Sequence, residues 1–142
     1  MLSRFFSKPK SMVLEGQGFS PIREPSEQQV RYSVLALKNG GSSFLSVTDE
    51  LGNYIQIAGS RPWCFIEHRQ IKPLNHSRAY RDTPVPKYED GAKIHTGAGD
   101  IELMHDEWFL LKDAAEIAVG FLKGESFPKG VNWRSLNEML GI

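Results

Sequence analysis

Apolar and polar residues alternate along three stretches between residues 43 and 71, a pattern typical of β-strands that bury one face. We expect strands at residues 43–48, 53–59 and 63–71. Turn residues from Asp49 to Gly52 join the first pair, and "SRP" joins the second pair. Because consecutive strands joined by short turns pair antiparallel, the three strands are predicted to form a meander.

Three other stretches carry the signals of helices. "PSEQQVRYSVLALKNGG" offers Ser26 as an amino cap, Gln29 three residues later and "NGG" as a stop. "KDAAEIAVGFLKGESFP" has acidic residues in its first turn and ends at Gly124. "VNWRSLNEMLGI" offers Asn132 as an amino cap and Gly141 as a stop. We therefore expect one helix before the meander and two near the carboxyl end.

The segments between these elements are less regular. Residues 72–91 contain three prolines and hardly any periodicity, so we expect a long loop, which in a compact domain is often functional. Residues 93–96 and 100–104 can pair as a hairpin around "GAG". Residues 108–111 either extend the sheet or enter the next helix.

Together these elements predict a single α+β domain over residues 1–142, with residues 1–25 as an irregular amino-terminal extension. The sheet is expected to be antiparallel, to have about five strands and to carry helices packed on one face. Hydrophobic residues make up 40% of the chain and charged residues 24%, which is typical of a globular domain.

Cysteine usage and the amino terminus bear on location. Cys64 is the only cysteine, so the chain cannot form an intramolecular disulfide and nothing indicates an oxidising compartment. The stretch "MLSRFFSKPKSM" lacks the apolar run of a signal peptide or a membrane span. We expect a cytoplasmic protein that does not insert into membranes.

Strand alternation divides the meander into two faces. One face is apolar and is expected to form the core beneath the helices: Leu45, Val47, Ile55, Ile57, Cys64 and Ile66. The other face mixes aromatic, amide and charged side chains: Phe44, Ser46, Thr48, Tyr54, Gln56, Ala58, Trp63, Phe65, Glu67 and Arg69. Such a mixture is typical of a protein interface. The alternative is that residues 72–91 or the amino-terminal segment cover this face, with Glu67 and Arg69 paired at its rim. A register slip of one residue would exchange the two faces.

Charge is unevenly distributed along a chain whose formal net charge is zero. Residues 1–81 hold eleven basic and six acidic side chains, whereas residues 82–116 hold three basic and nine acidic ones. The zero net charge argues against a general nucleic-acid binder. The acidic segment either presents a negative surface to a basic partner or is simply solvated, and the sequence leaves both readings open.

Residues with catalytic chemistry show no convincing arrangement. Cys64 and His68 lie roughly 13 Å apart along one strand, too far for direct activation of the thiol. The four histidines match no metal-ligand spacing. "HTGAGD" is better interpreted as a tight turn than as a phosphate loop. We expect no catalytic, metal or cofactor site, and the enzymatic alternative is an acid–base set of His105, Asp106 and Glu107.

The order of several motifs resembles immunity protein family one of bacterial polymorphic toxin systems. The motifs are the strand "YIQIAG", a strand with an acidic residue and an arginine, and a helix followed by proline and "VNW". The matching positions are Tyr54, Ile55, Gln56, Ile57, Ala58 and Gly59; Glu67 and Arg69; Phe121, Leu122, Pro128, Val131 and Trp133. The chain departs from the family pattern at "GESFP", where the spacing to the proline is one residue longer, and in its charged amino-terminal extension.

The resemblance implies a cytoplasmic antitoxin that binds the toxic domain of a secreted effector, often a deaminase or nuclease, and occludes it during competition between bacteria. The resemblance does not say which residues bind the partner, so we predict them from the mixed strand face and from the acidic segment. The predicted partner-binding residues are Tyr54, Gln56, Trp63, Phe65, Glu67, Arg69, Glu89, Asp90, Asp106 and Glu107. A regulatory or scaffold module that binds another protein is the alternative, and the oligomeric state stays open.

Overall fold

The computed structural model describes residues 11–38, 43–59, 61–84, 87–97 and 99–142. Within these ranges the chain forms ten strands and three helices. The strands are β1 (Met12–Gly16), β2 (Phe19–Arg23), β3 (Phe44–Asp49), β4 (Tyr54–Gly59), β5 (Trp63–Gln70), β6 (Asn75–Arg81), β7 (Ala92–Thr96), β8 (Gly99–Leu103), β9 (Phe109–Leu110) and β10 (Val131–Ser135). The helices are α1 (Glu27–Leu35), α2 (Leu111–Lys123) and α3 (Asn137–Leu140).

Eight of the described strands form one sheet, in the order β10-β6-β5-β4-β3-β1-β2, with β9 beside the first residues of β5. Every pairing in this sheet is antiparallel. β7 and β8 form a separate antiparallel hairpin. The α+β class and the antiparallel meander β3-β4-β5 are confirmed, but the sheet is larger than the five strands expected from the sequence.

Three segments account for the additional strands, and each corrects a prediction. The expected loop over residues 72–91 contains β6, whose polar side chains lack the apolar alternation that marks a strand. The extension expected to be irregular over residues 1–25 contains the β1–β2 hairpin, and residues 1–10 lie outside the described ranges. Asn132 is not a helix cap, because Val131–Ser135 pairs with β6 as the edge strand β10.

The predicted helix ends are largely confirmed. Ser26 caps α1 through a complete capping box, in which its hydroxyl accepts from the Gln29 amide at 3.1 Å and the Gln29 side chain accepts from the Ser26 amide at 2.9 Å. Gly124 ends α2 in the left-handed region at φ 72°, and Gly141 ends the four-residue α3 at φ 73°. Tertiary pairing therefore overrides the helix pattern only where β10 forms.

The hydrophobic core lies between one face of the sheet and the helices α1 and α2. The six strand residues predicted to face the core are all buried: Leu45, Val47, Ile55, Ile57, Cys64 and Ile66. α1 contributes Val30 and Val34, and α2 contributes the alanine-rich face that includes Ala114 and Ala118. Small alanines let the helix backbone approach the sheet closely. No helix in the described part of the chain has the length and apolar character needed to cross a bilayer.

Candidate functional site

The second face of the sheet is covered at one end by the β7–β8 hairpin. Ala58 and Phe65 are buried there in a second hydrophobic cluster with Ile94, Leu103 and Trp108. Two further meander residues, Phe44 and Trp63, pack against this cluster and stay partly exposed. The hairpin therefore covers part of the face, together with Tyr88 of the residue 72–91 segment, whose ring centroid lies 4.5 Å from that of Trp108.

The tip of the hairpin is held by a buried serine. The Ser43 hydroxyl accepts a hydrogen bond from the Gly97 amide at 2.7 Å and donates to the Gln17 side-chain oxygen at 3.0 Å. The same Gln17 oxygen accepts from the Ser43 amide at 3.0 Å. A side chain at Gly97 would clash with both Gln17 and Ser43, with contacts of 2.8 Å. The β1–β2 turn, the start of β3 and the hairpin are thereby connected at one point.

A cluster of charged side chains lies next to the hairpin on the same face, and we call it the charge cluster. Its members are Glu67, His76, Arg78, Asp106, Glu107 and Arg134. Glu67 accepts from Arg78 at 2.8 and 3.0 Å through one oxygen and contacts the His76 ring at 2.7 Å through the other. Glu67 therefore pairs with Arg78, and the pairing with Arg69 considered as part of the alternative is wrong because neighbouring β6 supplies a closer cation.

Glu107 connects the two arginines of the charge cluster. It is only 1% exposed and lies 3.4 Å from Arg78 and 2.8 Å from Arg134. It also accepts from the Met104 amide at 2.7 Å. Arg134 holds Asp106 through both terminal nitrogens at 3.0 and 3.1 Å, and these carboxylates raise the pKa of the Arg134 guanidinium. The cluster is an internal ion-pair network whose arginines the sequence interpretation missed, because β6 and β10 were not recognised as strands.

Four of the nine acidic residues of segment 82–116 are paired with arginines of the chain, namely Asp106, Glu107, Asp113 and Glu116. The segment's ion pairs outside the charge cluster are Asp90–His105, Asp100–His95, Asp113–Arg81 and Glu116–Arg31. Hydrogen bonds from the His105 amide and ring lower the pKa of Asp90, and the bidentate Arg31 lowers the pKa of Glu116. Arginines from other parts of the sequence thus hold four of these carboxylates, which leaves less free negative charge for an outside partner than the composition of the segment suggests.

Beside the hairpin and the charge cluster, a row of directly opposed residues crosses six strands on the same face, and its last residue, His76, also belongs to the charge cluster. We call it the arginine row. From β2 to β6 it consists of Arg23, Val13, Thr48, Tyr54, Arg69 and His76. Tyr54 and His76 oppose Arg69 from either side, and their rings meet edge to face at 6.1 Å across β5. No residue of the row belongs to either hydrophobic cluster of the described chain.

The neighbouring row towards the hairpin runs through Glu15, Ser46 and Gln56 to Glu67. A cavity of about 370 Å³ opens on this part of the face, between the β1–β2 hairpin and β3–β4. Its lining combines the rings of Phe19 and Phe44 with the polar groups of this row. The open part of the face therefore offers both an apolar recess and unpaired polar side chains.

The ten residues predicted to bind a partner fall into four groups. Tyr54, Gln56 and Arg69 lie on the open part of the face. Glu89 and Asp90 are exposed before β7. Trp63 is partly exposed beside Tyr88, with ring centroids 6.4 Å apart. The other four are covered by or paired within the chain: Phe65, Glu67, Asp106 and Glu107. We therefore restrict the candidate docking surface to the first group and to the arginine row.

The histidine considered for catalysis is not paired with either of the two carboxylates considered with it. His105 contacts Asp90, whereas Asp106 and Glu107 both contact Arg134. Cys64 is buried with its thiol directed at the Phe109 carbonyl, and burial raises the pKa of that thiol. His68 faces the rings of Phe121, Phe127 and Trp133 instead of Cys64. No group of three or more potential metal ligands occurs among the described residues.

Comparisons with models of known protein families, with curated proteins and with solved structures find no match for this chain.

Proposed function

We propose that the chain is an immunity protein that binds the toxic domain of a secreted bacterial effector and blocks its active or substrate-binding surface. The proposal assigns it a cytoplasmic, non-catalytic role. Two independent lines support it: the order of motifs that resembles immunity protein family one, and an open sheet face with the chemistry of an interface. A nuclease or deaminase domain is the class of effector that the resemblance implies.

The observation that carries the proposal is the open part of the sheet face. It presents Tyr54, Gln56 and Arg69 beside an apolar recess, on strands that are paired on both sides. Tyrosine and arginine are enriched among the residues that dominate binding energy. Because a sheet holds its side chains in fixed positions, little conformational entropy is lost when a partner docks.

The mechanism we propose is occlusion by the sheet face, without imitation of a nucleic acid by the acidic segment. Imitation would need free carboxylates, but those of Asp106, Glu107, Asp113 and Glu116 are held by arginines of this chain. Affinity would instead come from burial of Tyr54 and the apolar recess, with polar groups that fix the orientation of the partner.

Growth rescue tests this function. The chain is co-expressed with the toxic domain encoded beside its gene, and it should restore growth and co-purify with that domain. Tyr54→Glu should abolish rescue, because it removes the ring and places an unpaired negative charge in the interface. Tyr32→Glu is the matched control: Tyr32 is 76% exposed on α1, behind the opposite face of the sheet, so this variant should still rescue. Continued toxicity in the presence of soluble wild-type protein would refute the proposal.

A further inference from the structure

The arginine row contains the two arginines that find no acceptor within the described chain. Five of the seven described arginines have one. Arg31, Arg78, Arg81 and Arg134 pair with carboxylates, and Arg61 donates to the Leu35 carbonyl at 2.6 Å. Arg23 and Arg69 have no such bond or ion pair to any described residue, and both lie on this one row.

Arg69 is the more informative of the two because it is partly buried. A guanidinium carries five N–H donors in a planar fork, and donors that lose water without gaining an acceptor cost free energy. The rings of Tyr54 and His76 meet across β5 beside Arg69 and shield part of this position from water. A carboxylate that approaches the Arg69 guanidinium from the solvent side would be bound at the edge of a partly dehydrated site, where charge-assisted bidentate hydrogen bonds are strong.

The sign of the charge along the row is uniform. None of its six residues is acidic. Besides the two arginines, the row contains Val13, Thr48, Tyr54 and His76. The nearest carboxylates on the face belong to the neighbouring row, where Glu67 is held by Arg78 and Glu15 lies at the β1 end. The row is therefore complementary to a negatively charged partner, the opposite of what the acidic segment suggested from the sequence.

We propose that the arginine row binds an acidic polypeptide segment, with one carboxylate seated on Arg69 and a second on Arg23. Four strand spacings separate the two arginines, so the carboxylates would lie about 19 Å apart. This inference rests on the proposed function for the identity of the partner: the toxic domain presents an acidic segment to this face. A nucleic acid fits less well, because phosphate-driven affinity needs many cations and the row supplies only two widely spaced arginines. The exposed Glu15 on the neighbouring row would also repel phosphates.

The first experiment needs no toxin. Short poly-L-glutamate and single-stranded DNA are titrated separately into the isotope-labelled chain, and amide shifts are followed by NMR at low salt. Poly-L-glutamate should perturb the amides of Thr48, Tyr54 and Arg69, and Arg69→Glu and Arg23→Glu should each weaken that binding. Lys112→Glu, which makes the same charge change on α2, should retain it. Binding that survives Arg69→Glu, or DNA binding at the row without poly-L-glutamate binding, would overturn the inference.

The second experiment separates this inference from the proposed function. In the complex with the toxic domain, Arg69→Glu should weaken affinity at least about tenfold, as expected for loss of a buried charge pair. If the wild type rescues growth and Arg69→Glu binds the toxic domain as tightly as the wild type does, the proposed acidic segment is rejected and the immunity function is retained. Absence of rescue combined with specific poly-L-glutamate binding at the row would reject the immunity function and retain the acidic partner.

Discussion

Glu67 and Arg78 oppose each other directly on β5 and β6, and two nitrogens of the arginine lie 2.8 and 3.0 Å from one oxygen of the carboxylate. On the same row Arg78 is followed by Arg134, and Glu107 reaches both arginines from the loop before β9. The charges of this row therefore hold the loop and the adjoining hairpin against the sheet. Their role in the molecule is structural, and the surface left for a partner consists of the other end of this row, from Gln56 to Glu15, and of the arginine row beside it.

Glu107→Gln should destabilise the fold strongly. The variant keeps the size of the side chain but removes the negative charge that two arginines share in a buried position. Breaking a buried pair from one side typically costs about 3–5 kcal/mol, because the remaining charges are left uncompensated. Urea unfolding followed by circular dichroism measures the change.

Glu102→Gln is the matched control for that measurement. Glu102 lies in the same acidic segment but is exposed and opposes Lys93 on the outer face of the hairpin. The substitution should change the free energy of unfolding by less than about 0.5 kcal/mol, as surface substitutions usually do. Equal effects at the two positions would contradict the assignment of Glu107 to a buried network.

Ser43→Ala should loosen the β7–β8 hairpin selectively. It removes the hydroxyl that accepts from the Gly97 amide and leaves that amide without its partner. We expect faster hydrogen exchange at β7 and β8 and a loss of about 1–2 kcal/mol in stability. Ser46→Ala, three residues further along the chain and inside β3, is the control. Exchange that accelerates uniformly over the whole sheet would show that the hairpin is not a separately anchored unit.

His68 should make stability fall in mild acid. Burial among aromatic rings lowers the pKa of His68 below its ordinary value of 6.5, an effect that His76 adds to and Asp49 opposes. Below pH 6.5 the unfolded chain binds a proton that the folded chain does not, so stability decreases as the pH falls towards the folded pKa. His68→Phe should remove this component, so the stability of the variant relative to wild type should increase as the pH is lowered from 7.5 to 5.5. A stability difference between the two proteins that stays constant over this pH range would contradict a lowered pKa for His68.

Cys64 should produce the converse dependence in alkali. Burial raises the pKa of its thiol above the ordinary 9.0, so above that pH the unfolded chain releases a proton that the folded chain retains. Wild-type stability should then decrease by up to about 1.4 kcal/mol per pH unit from this group alone. The stability deficit of Cys64→Ala should accordingly shrink between pH 8 and pH 10. A constant deficit would show that the thiol titrates normally in the fold.

Strand alternation and capping chemistry predicted much of the fold because their signals are local. The core face of β3, β4 and β5 is confirmed at all six positions, and Ser26 and Gly124 cap their helices as expected. β6 was missed because "NHSRAYR" lacks apolar alternation. Its backbone pairs with β5 and β10, and its polar side chains find their partners in neighbouring strands and in the charge cluster. β10 was missed because its pairing partner lies some fifty residues away in the sequence.

The candidate site was harder to predict because charge pairing is not a local property. Alternation placed Glu67 and Arg69 correctly on the second face but did not reveal that Arg78 stands opposite Glu67. The acidic segment 82–116 likewise looked free in the sequence, whereas its carboxylates meet arginines and histidines from other elements. Which charges remain unpaired, and therefore available to a partner, is decided by strand pairing across the whole sheet.

Side-chain footprinting of the complex with the toxic domain tests the central claim most directly. Hydroxyl radicals oxidise exposed tyrosines, and the chain has one on the open sheet face, Tyr54, and one on the opposite side, Tyr32. Binding should reduce the oxidation rate of Tyr54 several-fold and leave that of Tyr32 unchanged. Protection of Tyr32 with continued oxidation of Tyr54 would show that the partner docks elsewhere and would contradict the account.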